Sequence, residues 1–160
     1  MKLIEAIKKI LSEQIEGCRQ LLETLQREKF CLMDLHLEGV EAVTKEKDIL
    51  VLKLKLLEKE RERLLDSLSQ QKAFDLIRKD IKPEPLSLQQ LALATGDSTF
   101  SEMRSKLISL SQSIKELNDL NKMMIDRTLG YLKKSHPFLE MIGPGLVRGG
   151  KKGALLSREL

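Results

Sequence analysis

The sequence predicts an all-α protein: an antiparallel bundle of three long helices, with a short connector helix and a flexible, basic C-terminal tail. Three observations carry that expectation. Leucines recur at intervals of three and four residues through most of the 160 residues, with Lys, Glu and Arg between them, so each segment has one apolar stripe and one wet face. Aromatic residues make up 3% of the chain, Trp is absent and 32% is charged, which is the composition of long helices with an aliphatic core. Breaks in the pattern at Gly39, at Pro83 and Pro85, and at Pro137 divide the chain into helices of about 2–37, 40–81 and 99–134, a connector over 82–98 and a tail over 135–160. The length suits one domain, so residues 1–134 are expected to share a single core.

The first helix starts near Lys2. Its heptads place Ile4, Leu11, Cys18, Leu25 and Leu32 at one core position and Ile7, Gln14, Leu21, Glu28 and Leu35 at the other. Gln14 and Glu28 make the seam leaky, while Ile15 and Leu22 widen it beyond a two-stranded contact, as a bundle of three or more helices requires. Gly39 is read as the left-handed residue that ends this helix. The chain then reverses into a second helix with Val43, Leu50, Leu57 and Leu64 at one core position and Leu54 and Leu68 at the other, where Lys47 and Arg61 also fall. Ile49, Leu52, Leu56 and Leu65 lie off that seam and mark a broad apolar flank. The helix continues through Phe74 and Ile77 and stops by Lys82, because each following proline removes a donor and pushes its predecessor out of helical geometry.

Within the connector, Ser87-Leu88-Gln89-Gln90 has capping-box spacing and predicts a helix of about two turns ending at Gly96. A third long helix is expected from Thr99, with Glu102 as capping partner. Its core positions are Phe100, Leu107, Ile114, Asn121 and Thr128, and Met103, Leu110, Leu117, Met124 and Tyr131. Its polar face, with Ser101, Ser105, Ser109, Ser111, Ser113 and Asn118, reads either as a shallow docking surface or as ordinary surface serines. After Lys134 the periodicity ends, yet Phe138, Leu139, Met141, Ile142, Leu146, Val147, Leu155 and Leu156 punctuate the tail. Spaced apolar anchors without a core suit a segment that orders on a partner; a frayed terminus is the other reading.

Charge narrows the function. The net charge of +4 comes from residues 133–160, where Lys133, Lys134, Arg148, Lys151, Lys152 and Arg158 face only Glu140 and Glu159. A neutral body with a basic tail argues against nucleic acid as the main partner. No apolar run approaches the ~20 residues that span a bilayer, so stable membrane insertion is not expected. The amphipathic N-terminus lacks a signal peptide's continuous apolar stretch, and a cytoplasmic location is expected. Cys18 and Cys31 would sit on one helix roughly 20 Å apart and cannot bridge within the chain. Two histidines, His36 and His136, do not make a metal cluster with those cysteines, and GPGLVRGGKKG lacks the strand and helix that flank a phosphate loop. The expectation is a protein with no cofactor, no metal and no enzymatic activity.

Two stretches resemble the FlgN family of bacterial flagellar export chaperones. One is residues 21–65, LLETLQREKFCLMDLHLEGVEAVTKEKDILVLKLKLLEKERERLL, an aliphatic heptad helix followed by an acidic-Gly break and a KEK restart. The other is the tail FLEMIGPGLVRGGKKGALLSREL, where Gly143, Pro144 and Gly145 match the family's short tail element and Ile142 stands where an aromatic is expected. The resemblance implies a chaperone that binds the C-terminal helices of hook-associated, hook-filament junction proteins. It also implies that such a chaperone prevents their premature assembly and delivers them to the cytoplasmic domain of the type III export gate. Client contact is expected on the third helix and the tail, at Leu107, Ile114, Leu117, Met124, Tyr131, Leu139, Ile142, Leu155 and Leu156, because a client helix with an exposed apolar stripe needs a complementary groove. Of these, Tyr131 falls on a core heptad position and reads first as a packing residue. Whether Ile142 or Tyr131 reaches the export gate, and whether the free protein is a monomer or a homodimer, the sequence leaves open. The alternative is a self-associating structural coiled coil or adaptor, against which the polar core residues Gln14, Glu28, Lys47 and Arg61 count.

Overall fold

The structure, a computed structural model, describes residues 2–71 and 86–134. Those residues are all-helical: α1 is Lys2–Met33, α2 Leu37–Ser69, α3 Leu88–Thr95 and α4 Ser98–Lys134. α2 ends at Ser69, with Gln70 and Gln71 already out of the helix, short of the expected stop near Lys82; Phe74, Ile77, the connector's prolines and the tail lie outside the described residues. By their contacts the described residues fall into two compact units, one of residues 2–20, 50–71 and 86–110, the other of residues 21–49 and 111–134.

In the first unit the core is aliphatic around one ring. Ile7, Leu11, Leu64, Leu65, Leu68, Leu86, Leu91 and Phe100 form a buried cluster, with Leu3, Ile4, Met103 and Leu107 packed partly buried against it. Most of these are the periodic positions of the sequence. Leu65, read as flank, is instead 8% exposed, while Leu52 and Leu56 remain open at 60% each. The short helix α3 is built as its sequence predicts. Ser87 Oγ accepts from the Gln90 N–H at 3.2 Å, the Ser87 N–H donates to Gln90 Oε1 at 2.9 Å, and Gly96 takes the left-handed conformation at φ 66°. This satisfies orphan donors at one end and turns the chain at the other, so Leu91 drops into the core with no exposure.

The start of α4 corrects the expected cap. The helix begins at Ser98 and its cap is Asp97, whose Oδ1 accepts from the Thr99 N–H at 2.9 Å; Glu102 is not the partner. Asp97 Oδ2 also meets Lys8 Nζ at 2.8 Å, and the same ammonium lies 5.6 Å from the centre of the Phe100 ring. The Lys8 side chain, with the Thr99 hydrogen bonds, holds the Asp97 carboxyl at about 2, below its ordinary 3.8. A carboxyl depressed in the folded state stabilises the fold above its unfolded value and loses that contribution as pH falls through the folded one. The Asp97 contribution is therefore complete above about pH 5, largely lost by about pH 2 and gone below it. Asp97→Asn is expected to lower the melting temperature at pH 6 and to approach the unmodified protein as pH falls to about 2, which a thermal scan across that range checks.

In the second unit the turn between α1 and α2 also departs from the expectation. The left-handed residue is Leu35, at φ 51°, and not Gly39. The His36 N–H reaches back to the Cys31 carbonyl at 2.9 Å and the Leu35 N–H to that of Leu32 at 3.3 Å, the paired bonds of a Schellman stop. So α1 ends at Met33, short of Leu37, and α2 starts at Leu37, ahead of Val40. Leu35, a heptad core position, is 66% exposed because the helix has already ended. Gly39 is needed for closeness: its N–H donates to His36 Nδ1 at 3.0 Å, and a Cβ there would lie 2.3 Å from that nitrogen and 2.8 Å from Cys31 Sγ. A non-glycine residue in the left-handed region costs about 1–2 kcal/mol, partly offset by the extra chain entropy glycine loses on folding. Leu35→Gly is therefore expected to raise stability by up to about 1 kcal/mol, read from urea unfolding.

Candidate functional site

The second unit has a polar interior. Its buried residues are Leu21, Leu25, Val43 and Ile114, together with Thr24, Glu28, Lys47, Asn118 and Asn121. Lys47 Nζ lies 2.6 Å from Glu28 Oε2, both side chains almost wholly shielded from solvent. Asn121 Nδ2 donates to Glu28 Oε1 and to the Leu25 carbonyl, each at 2.9 Å, so α4 is tied to α1 by one amide while Asn121 Oδ1 finds no partner among the described residues. Asn118 belongs to this interior and not to the serine face where the sequence placed it. Arg27 and Glu46 pair outside it, and that contact lowers the carboxyl of Glu46 below its usual range. The first unit has a smaller counterpart in which Gln14 Nε2 donates to Glu58 Oε2 at 2.7 Å and Arg61 donates to Gln14 Oε1 at 3.2 Å. The polar heptad positions thus carry bonded side chains, as burial of polar groups demands.

Of the residues expected to meet a client, those within the described part of α4 are graded along the helix. Ile114 is spent on the core at 1% exposure, Leu107 packs on the first unit's cluster, and Leu117 and Met124 are half-buried. Tyr131, read as a packing residue from its heptad position, is 77% exposed. Ser101, Ser105, Ser109 and Ser111 are exposed. Leu139, Ile142, Leu155, Leu156 and the Gly143, Pro144, Gly145 element lie outside the described residues. Further along α4, Asp119, Lys122, Met123, Asp126 and Arg127 line a shallow depression of about 420 Å³, open to solvent and formed by one helix.

One surface was not foreseen as such. Around the α1–α2 turn, Phe30, Met33, Leu35 and Leu37 are exposed by 62, 59, 66 and 47%. Heptad reading assigns Leu35 inward and passes over the other three, because the pattern says which face is buried and not which outward residues are apolar. Their clustering within residues 30–37 was the available signal.

Among the described residues no group of three His, Cys, Asp or Glu side chains is placed to hold a metal ion. Burial pushes the Cys18 thiol up, away from the thiolate a nucleophile needs. No helix of the described residues is long and apolar enough to cross a membrane. What the arrangement offers is helical surface with apolar residues at graded exposure.

The sequence model of the FlgN protein family matches residues 1–143. The chain belongs to the FlgN family. FlgN proteins are flagellar export chaperones, a family that binds flagellar substrate proteins and is not known for enzymes. The match takes in all four helices of the described residues and ends at Gly143, the first residue of the tail element. Comparison with curated proteins gives no match, and neither does comparison with solved structures.

Proposed function

We propose that this FlgN-family chain is a cytoplasmic chaperone for hook-associated proteins of the hook-filament junction. In this reading it binds their C-terminal helices, prevents their premature assembly and delivers them to the cytoplasmic domain of the type III export gate. Membership of the family over residues 1–143 is the observation that carries the reading. The three long helices then act as an antiparallel bundle domain over residues 1–134, and the tail over 135–160 is the element that closes on the client.

The physical support lies on α4. A client helix needs an apolar strip that water has not made costly to keep, and half-buried side chains supply it. Leu107, Leu117 and Met124 have part of their surface exposed, Ile114 supports them from the core, and Tyr131 is 77% exposed near the start of the tail. With Leu139, Ile142, Leu155 and Leu156 from the tail they would flank the client's stripe on two sides. Met suits such a surface, since its unbranched chain adapts to different partners. A tail that spends part of the binding energy on being placed against the client keeps affinity moderate, which release at the gate requires. Gly143, Pro144 and Gly145 are assigned to the family's short tail element by the resemblance.

Co-purification with the C-terminal helical region of a hook-associated protein from the same organism tests this, for the full chain and for one ending at Lys134. A stoichiometric complex that weakens on truncation is the expected result. Failure of the full chain to bind any such region would remove the assignment of client. Self-association is the second reading, favoured by Leu52 and Leu56, which are exposed at 60% on α2. A stable oligomer of the free chain with no client complex would establish it.

A further inference from the structure

We propose that the α1–α2 turn of the second unit is the seat of this chain's own basic tail in the absence of client. Three observations converge there. Phe30, Met33, Leu35 and Leu37 present apolar surface that the fold leaves open. Leu35 holds the left-handed conformation that glycine would adopt more cheaply, and an exposed leucine kept in a strained conformation is the pattern of a residue placed for contact. From Phe30 to Thr44 the chain carries Asp34, Glu38 and Glu41 and no Lys or Arg.

The tail has the complementary chemistry. From Met141 to Arg158 it carries Arg148, Lys151, Lys152 and Arg158 and no Asp or Glu, interleaved with Met141, Ile142, Leu146, Val147, Leu155 and Leu156. Glu41 has an exposed partner in Lys45 at 3.7 Å, an i,i+4 pair too weak to cancel its field, and no ion pair is found for Asp34 or Glu38 among the described residues. Reach is no obstacle. The tail begins after Lys134, in the same unit as the turn, and its 26 residues extend up to about 85 Å against about 36 Å for the longest helical segment of that unit, 111–134. Tethering raises the effective concentration, so weak apolar and ionic contacts suffice to keep the tail seated. A client that engages the tail's leucines would lift it and expose the turn. That consequence rests on the chaperone reading, whereas the seating itself does not.

Cys31 reports on the seat. It lies one residue from Phe30, is partly exposed, and its sulfur borders the space beside Gly39 at the base of the turn, whereas Cys18 is buried and serves as an internal reference. The experiment measures alkylation of both thiols by iodoacetamide, read by peptide mass spectrometry, in the free full-length chain without client. Arg148→Glu, Lys151→Glu and Lys152→Glu together are expected to speed Cys31 modification several-fold and leave Cys18 unchanged, with high salt acting in the same direction. Adding Glu38→Lys and Glu41→Lys to that chain should restore the slow rate by re-pairing the charges in reverse. Equal Cys31 rates in the unmodified and tail-reversed chains would overturn the proposal. Protection that vanishes on dilution would overturn it as well, placing a second copy on the turn instead. Client co-purification is a separate measurement, so a failed seat and a failed client assignment give different results.

Discussion

Lys47→Ala is expected to destabilise the protein by about 3–5 kcal/mol, far more than an ordinary lysine substitution. The side chains of Lys47 and Glu28 are 4% and 2% exposed, and their ionic contact is 2.6 Å. Once the ammonium is gone, the Glu28 carboxylate keeps, among the described residues, only the Asn121 amide at 2.9 Å, in a site from which water is largely excluded. One neutral donor does not replace a cation, so the cost is that of an uncompensated buried charge. The opposite result is expected when all three groups go together: Glu28→Leu, Lys47→Met and Asn121→Leu should be neutral or up to about 4 kcal/mol stabilising, since neither desolvated charges nor the orphan Asn121 Oδ1 would remain. Urea unfolding followed by circular dichroism measures both. A loss under about 1 kcal/mol for Lys47→Ala would mean that water reaches the pair in solution.

The contrast between those variants says what the polar interior is for. An apolar interior would be at least as stable but would not distinguish one sliding position of α4 from the next, whereas the Asn121 amide must meet both Glu28 and the Leu25 carbonyl. Fixed register with modest stability suits the proposed client reading, in which α4 presents Leu117, Met124 and Tyr131 to a partner and then releases it.

How far the sequence reveals this depends on the range of each interaction. Period-3.6 burial depends on neighbours along one helix, and Ile7, Leu11, Leu21, Leu25, Leu57, Leu64, Phe100 and Ile114 are buried where the heptads place them. The Ser87–Gln90 box and Gly96 are equally local and equally legible. Gln14, Glu28, Lys47 and Asn121 were legible as core positions, but their pairings were not. Lys47 and Glu28 are 19 residues apart and Asn121 and Glu28 are 93 apart, distances over which periodicity carries no information. The turn misled because a glycine near a helix end signals either a left-handed residue or a tight approach. Only the geometry shows that Leu35 bends the chain while Gly39 makes room for His36 and Cys31. Tyr131 misled because a heptad extrapolates a face without knowing whether anything packs against it.

Phe100→Ala is the other large effect, at about 3–5 kcal/mol, and its mechanism is different. The ring has no exposed surface and sits among Ile7, Leu11, Leu64, Leu65, Leu68, Leu86 and Leu91, contributed by the long helices, α3 and its approach. Removing it forfeits the transfer energy of the largest buried side chain in the cluster and leaves a cavity that helices held by caps on either side cannot close. At about 2–4 °C per kcal/mol for a chain of this size, the melting temperature should fall by about 6–20 °C. Phe100→Leu keeps most of the volume and should cost under about 1.5 kcal/mol. Tyr131→Ala, at a position 77% exposed, should stay within about 0.5 kcal/mol while weakening the proposed client complex. That divergence separates the two roles that one heptad pattern assigned to the same helix. If Phe100→Ala cost no more than Phe100→Leu, the first unit would have to repack around the void, and its aliphatic cluster would be a looser core than its burial implies.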